Sequence, residues 1–261
     1  VVSRAKLLTG LRVTGSLCAV VIASWAVAAG GIWAWASMRP PGLAHGNDTS
    51  AWASLRNICS SEREFRRGAH VDMDGDGVGE FGTLAELSGA VPLPDGHVLN
   101  PPVLSGAFRS VDLDGSVPRS GYRIRVFLPA ESGDGVREPG FALPPAHPRA
   151  KGEPHCSPSA PVGPPSPRRA GRDRVTDRVD PARASTKWCA YAWPVEYERT
   201  GRLTFVIDQD GNELRTDDPR YSGDNGPLPG AAFAGGGALS IVGDLARGVR
   251  AQDGNLWTEY P

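Results

Sequence analysis

The sequence predicts an α+β domain carried behind a membrane-spanning helix. Three observations predict it: a long uncharged apolar run near the N-terminus, a following stretch with apolar residues at steps of three and four, and later stretches in which they alternate at steps of two.

The first element is the apolar run. From Val13 to Met38 no side chain is charged, and Val20, Val21, Ile22, Trp25, Val27, Ile32, Trp33 and Trp35 stand among alanines and glycines. A helix rises about 1.5 Å per residue, so this run suffices to cross roughly 30 Å of hydrocarbon. Arg4, Lys6 and Arg12 precede it, and a positive flank stays on the cytoplasmic side. The expectation is a single-pass protein of the inner (cytoplasmic) membrane, with a cytoplasmic N-terminus and a periplasmic or extracellular C-terminal domain. A cleaved secretory signal shares this layout, with the small residues Ala34 and Ala36 before Ser37. The length of the run and the tryptophans crowding that site favour retention. Residues 1–38 therefore read as basic flank and anchor, 39–49 as a linker opened by Arg39-Pro40-Pro41-Gly42, and 50–261 as the exported domain.

The second element is a helix over residues 50–67, with Trp52, Leu55, Ile58, Cys59 and Phe65 on one face. Asp48 or Thr49 is placed to cap its start and Gly68 to end it. Glu62 and Arg66 fall one turn apart and are assigned to the solvated side. A short helix follows over residues 83–87, closed by Gly89.

Strands come next. Tyr122, Ile124, Val126 and Leu128 alternate with Arg123, Arg125 and Phe127 up to Pro129, the period of a half-buried strand. Residues 188–193 form a second, stopped by Pro194, and residues 203–207 and 213–215 flank Asp208-Gln209-Asp210-Gly211-Asn212 as a hairpin. A short helix over residues 238–246 and a last strand over 256–260 complete the pattern. Residues 144–187 differ: nine prolines by Pro167, then Arg168, Arg169, Arg172, Arg174, Arg178 and Arg183 with few apolar residues. Such a segment cannot bury enough surface to offset its conformational entropy and reads as a disordered basic insertion. A net charge of −1, from 28 basic and 29 acidic residues, leaves no overall nucleic-acid footprint.

The most specific motif is Asp72-Met73-Asp74-Gly75-Asp76-Gly77-Val78-Gly79-Glu80. Calcium loops place oxygen donors at alternate positions, a glycine at six, a backbone carbonyl at seven and a bidentate acid at twelve. Asp72, Asp74, Asp76, the carbonyl of Val78 and Glu80 fit the early places, so calcium is the candidate cofactor. The twelfth place falls on Thr83, and Glu86 is the nearest acid beyond it. Asp112-Leu113-Asp114-Gly115 and Asp208-Gln209-Asp210-Gly211 repeat the theme in shorter form and read as turns. Cys18 lies in the apolar run, leaving Cys59, Cys156 and Cys189 for one disulfide and one thiol. A Cys59–Cys189 bridge is the first candidate, and Cys156 could reach either. The histidines His45, His70, His97, His147 and His155 sit in turn or loop contexts, and neither Gly-x-Ser-x-Gly nor His-Glu-x-x-His occurs.

Several stretches together resemble a group of bacterial pilin-like proteins, akin to type IV pilins and the pseudopilins of type II secretion. They are Asp74-Gly75-Asp76-Gly77-Val78-Gly79-Glu80-Phe81-Gly82, Ser120-Gly121-Tyr122, Trp188-Cys189-Ala190-Tyr191-Ala192-Trp193-Pro194, the run from Gly201 to Gly211, Thr216-Asp217-Asp218, and Asp253-Gly254-Asn255-Leu256-Trp257-Thr258. The resemblance implies a long helix packed on a small antiparallel sheet and implies no activity. Neither Gly10-Leu11 nor Gly15-Ser16 offers the Gly-Phe step that a prepilin peptidase cuts. The expected function is a non-enzymatic, membrane-anchored envelope protein acting in surface assembly, secretion or adhesion. Its partners would be envelope proteins or further copies of itself, with no nucleic acid. The alternatives are a calcium-binding module using the incomplete loop, and an exported hydrolase in which His70 or His97 meets carboxylates.

Overall fold

The computed structural model describes residues 42–140 and 178–260. The run from Val13 to Met38, Cys18, Cys156, and residues 144–177 of the expected insertion lie outside the described residues. Among the described residues, no helix is long and apolar enough to cross a membrane.

The long helix α1 (Gly42–Arg67, 26 residues) starts earlier than its apolar spacing predicts. Residues 42–49, expected as linker, are helical, and Asp48 is a buried residue inside the helix rather than its cap. The reason is tertiary: the Asp48 carboxylate accepts from the Tyr122 hydroxyl and from the Arg202 N–H. Those partners lie far away in sequence, so the local pattern could not reveal the extra turns. Leu55, Ile58 and Phe65 are each at most 1% exposed, and burying a side chain of this size stabilises by about 1.5–3 kcal/mol.

The strands are β1 (Val117–Arg119), β2 (Tyr122–Pro129), β3 (Gly135–Arg137), β4 (Cys189–Pro194), β5 (Thr204–Asp208), β6 (Glu213–Thr216) and β7 (Thr258–Glu259). They form one antiparallel sheet in the order β1-β2-β4-β5-β6-β7, with β3 also paired to β2. The register aligns Ile124 with Ala192, and Ala192 with Phe205. Tyr191 stands opposite Val206, and Val206 opposite Leu214.

Strand alternation sorts these side chains into two cores. Tyr122, Ile124, Val126, Leu128, Ala190, Ala192, Phe205 and Ile207 join the apolar face of α1 in the first. Phe127, Cys189, Tyr191, Trp193, Val206 and Leu214 join Tyr221, Phe233, Ile241 and Trp257 of the C-terminal region in the second. The half-buried strand expected at residues 122–128 is therefore buried on both faces. Even Arg125 is 7% exposed, ion-paired with Asp114 at 2.8 Å and stacked over Trp193. The C-terminal region covers this second face as a series of turns and isolated bridges. The helix expected over residues 238–246 is absent: Ile241 donates to the Gly133 carbonyl and Ala246 to that of Ala232 instead.

Polar contacts pin α1 to the β5–β6 hairpin of the sheet. Trp52 Nε1 donates to Glu213 at 2.5 Å, Arg56 pairs with Glu213 at 3.3 Å, and Arg63 donates to the Asp210 carbonyl at 2.9 Å. The expected β5–β6 hairpin forms, its Asp208 carboxylate accepting from the N–H groups of Asp210 and Asn212 and its Gly211 at φ +82°. The end of the expected disordered insertion is ordered. Asp180 caps the short helix α3 (Pro181–Ala184), Ala184 is fully buried, and its carbonyl accepts from the Phe81 N–H. An Asp-Pro start pre-organises such a turn, and long-range packing of Ala184 holds it.

Candidate functional site

The acidic turn leaves the C-terminus of α1 and returns to it. Its ends are joined by a hydrogen bond from the Glu80 N–H to the Val71 carbonyl at 3.0 Å. Gly79 packs directly on the helix end: a Cβ there would lie 2.4 Å from the Arg66 carbonyl oxygen, so only glycine fits.

Inside the turn, Asp72 accepts from the Gly75 and Gly77 amides at 2.8 and 3.1 Å. Asp74 accepts from the Asp76 amide, and Asp76 from that of Val78 at 2.7 Å. Glu80 folds back, and its Oε1 accepts from the Met73 N–H at 2.8 Å. Asp72, Asp74 and Glu80 thereby bring carboxylate oxygens within 4.8 Å of one another. Asp72 and Asp74 are exposed, whereas Glu80 is 3% exposed and its Oε2 has no hydrogen-bond partner among the described residues. Burial raises the Glu80 carboxyl above its ordinary range, and the charges of Asp74 and Asp72 add to the effect. Among the described residues, no ion pair involves Asp72, Asp74 or Glu80. Beside Glu80 lies a cavity of about 30 Å³, lined in part by Val71, Thr83, Glu86 and Leu128, with room for about one water.

Of the side-chain ligands expected from sequence, Asp72, Asp74 and Glu80 converge, while Asp76 is not in the cluster. Glu86 does not compensate for the twelfth position. It is buried in the capping box of α2 (Leu84–Leu87), where its Oε2 accepts from the Thr83 N–H and hydroxyl. Thr83 is likewise committed as the cap of that helix.

Next to the turn is a feature that sequence reading placed wrongly. Glu62, assigned to the solvated side of α1, is fully buried and accepts from the Gly82 N–H at 3.0 Å. Its position four residues after Ile58 and three before Phe65 was the available signal for the buried face. Glu138 is also buried and accepts from the Leu84 and Ala85 amides at the start of α2. No local pattern marks Glu138, because its partners lie across the fold. Burial pushes the carboxyls of Glu62 and Glu86 up, and Glu138 up to about 8, with repulsion from Glu86 and Glu138 adding at Glu62, from Glu80 at Glu86 and from Glu86 at Glu138.

The remaining candidates resolve into structural roles. Asp114 is held by Arg123 and Arg125, and Asp208 closes its own turn, so both shorter acidic motifs are turns. The expected Cys59–Cys189 bridge is not formed. Both are buried free thiols, Cys59 in the core beneath α1 and Cys189 in the core on the opposite face. Strand alternation turns Cys189 away from the helix. His97 meets one carboxylate, Asp95, at 2.9 Å on the exposed surface, and His70 stacks on Phe65.

The chain matches no protein-family model, no curated protein and no solved structure.

Proposed function

We propose that this protein is a membrane-anchored, non-enzymatic envelope protein of pilin-like design, whose exported domain acts in surface assembly, secretion or adhesion through protein contacts. The observation that carries the reading is α1: a 26-residue helix lying on one face of an antiparallel sheet and beginning just after the uncharged run from Val13 to Met38. An apolar run behind three basic residues favours insertion with the domain delivered outward. A rigid helix joined to a sheet with two packed faces suits a domain that meets partners as a preformed body.

Cross-linking of the full-length protein in the membranes of its host, followed by mass spectrometry, tests the reading. It predicts covalent adducts above monomer size, to envelope proteins or to further copies of this chain. Recovery of monomer alone would contradict it.

A further inference from the structure

We propose that the turn between α1 and α2 is a calcium site in which Asp72, Asp74 and Glu80 are the protein ligands, Glu80 serving in place of the acid that calcium loops usually carry at their twelfth position. The inference stands on the turn's own geometry and is independent of how the domain is anchored or partnered.

Two observations point to a ligand. First, three carboxylates bring oxygens within 4.8 Å of one another with no Lys or Arg paired to any of them among the described residues. Second, Glu80 is 3% exposed, yet one of its oxygens has no hydrogen-bond partner among the described residues. Most buried carboxylate oxygens in folded proteins find a partner, and a cation held between Glu80, Asp72 and Asp74 would supply one for this carboxylate.

The donor set selects the class of ion. All three side-chain donors are carboxylate oxygens, with neither His nor Cys in the cluster, which suits a hard divalent cation rather than zinc or copper. Two donors sit on an exposed turn whose carboxylates are already steadied by the Gly75, Gly77 and Asp76 amides. Such a turn leaves coordination sites for water and adapts to a large ion, favouring calcium over magnesium. The usual twelfth ligand is lost because Thr83 and Glu86 cap α2. Glu80 replaces it by folding back, anchored through Met73. Because Gly79 lies against the end of α1 and Glu80 is tied to Val71, a bound ion would stiffen the junction of helix and turn.

The experiment is calorimetric titration of calcium chloride into the chelator-stripped full-length chain in detergent, with magnesium chloride as comparison. We expect a single site with a dissociation constant of about 10⁻⁴–10⁻³ M, at least about tenfold weaker binding of magnesium, and a calcium-dependent rise in melting temperature. Glu80→Gln, which keeps an oxygen for Met73, and Asp74→Asn should each weaken binding at least about tenfold. Asp76→Asn should leave it within about twofold, since Asp76 only closes the turn. Were Glu80→Gln to unfold, the exposed Asp74→Asn decides the matter. No heat up to about 10 mM calcium, undiminished binding by Asp74→Asn, equal affinity for magnesium, or a loss in Asp76→Asn matching that in Asp74→Asn would each overturn the assignment.

Discussion

Glu62 of α1 reaches across to the Gly82 backbone and accepts its N–H at 3.0 Å from a wholly buried position. The bond joins the long helix to the segment that starts α2, and the other carboxylate oxygen of Glu62 has no partner among the described residues. Glu62→Ala strands the Gly82 N–H as well, at a cost of about 1–3 kcal/mol. Glu62→Gln keeps an acceptor and removes the charge, so we predict that it is more stable than Glu62→Ala at neutral pH. Urea unfolding of both variants checks the order.

Glu138 gives the domain a pH dependence of predictable sign. Its carboxyl is raised from an ordinary value of 4.5 to about 8 by burial and by repulsion from Glu86. Below about pH 4.5 both folded and unfolded forms hold the proton, and this contribution to stability is fully present. Between the two values the unfolded chain releases the proton while the folded one keeps it, so stability falls as pH rises to about 8 and then levels off. Glu62 and Glu86 are raised in the same direction. We predict that Glu138→Gln flattens the slope of unfolding free energy against pH over this window. An unchanged slope would contradict the assignment.

The Tyr122 hydroxyl and Asp48 fix the N-terminal part of α1 to β2. Tyr122→Phe removes a hydrogen bond to a buried acid that, among the described residues, otherwise retains only the Arg202 amide, at 3.1 Å. The expected loss is about 1.5–3 kcal/mol. Amide exchange should accelerate first near Asp48, ahead of the sheet.

The two described thiols lie in separate cores, so the native protein should carry no Cys59–Cys189 linkage. Peptide mapping without reduction checks this, and alkylation of either thiol should require unfolding.

These cases also show why some elements were legible and others were not. The apolar spacing of Leu55, Ile58 and Phe65 and the alternation in β2 predict a helix and a strand because burial on one face repeats at short range. The same rules missed the start of α1, since Asp48 is fixed by Tyr122 and Arg202 from distant segments. They treated β2 as half-buried because its second cover comes from a Gly-rich C-terminal region with no periodicity of its own. The helix expected over residues 238–246 fails for the same reason, its amides being taken by Gly133 and Ala232. At the candidate site, Asp72, Asp74 and Glu80 could be read as oxygen donors from their spacing. That Glu80 turns inward while Asp76 does not depends on the Met73 and Val71 contacts, which spacing does not encode.

Delivery of residues 50–261 across the cytoplasmic membrane, the placement on which the proposed function rests, is checked by treating spheroplasts with protease and then extracting their membranes. We predict that the domain is cut by protease added outside the spheroplasts and that the uncut protein resists alkaline extraction. Full protection in intact spheroplasts, with recovery in the soluble cytoplasmic fraction after lysis, would contradict that placement.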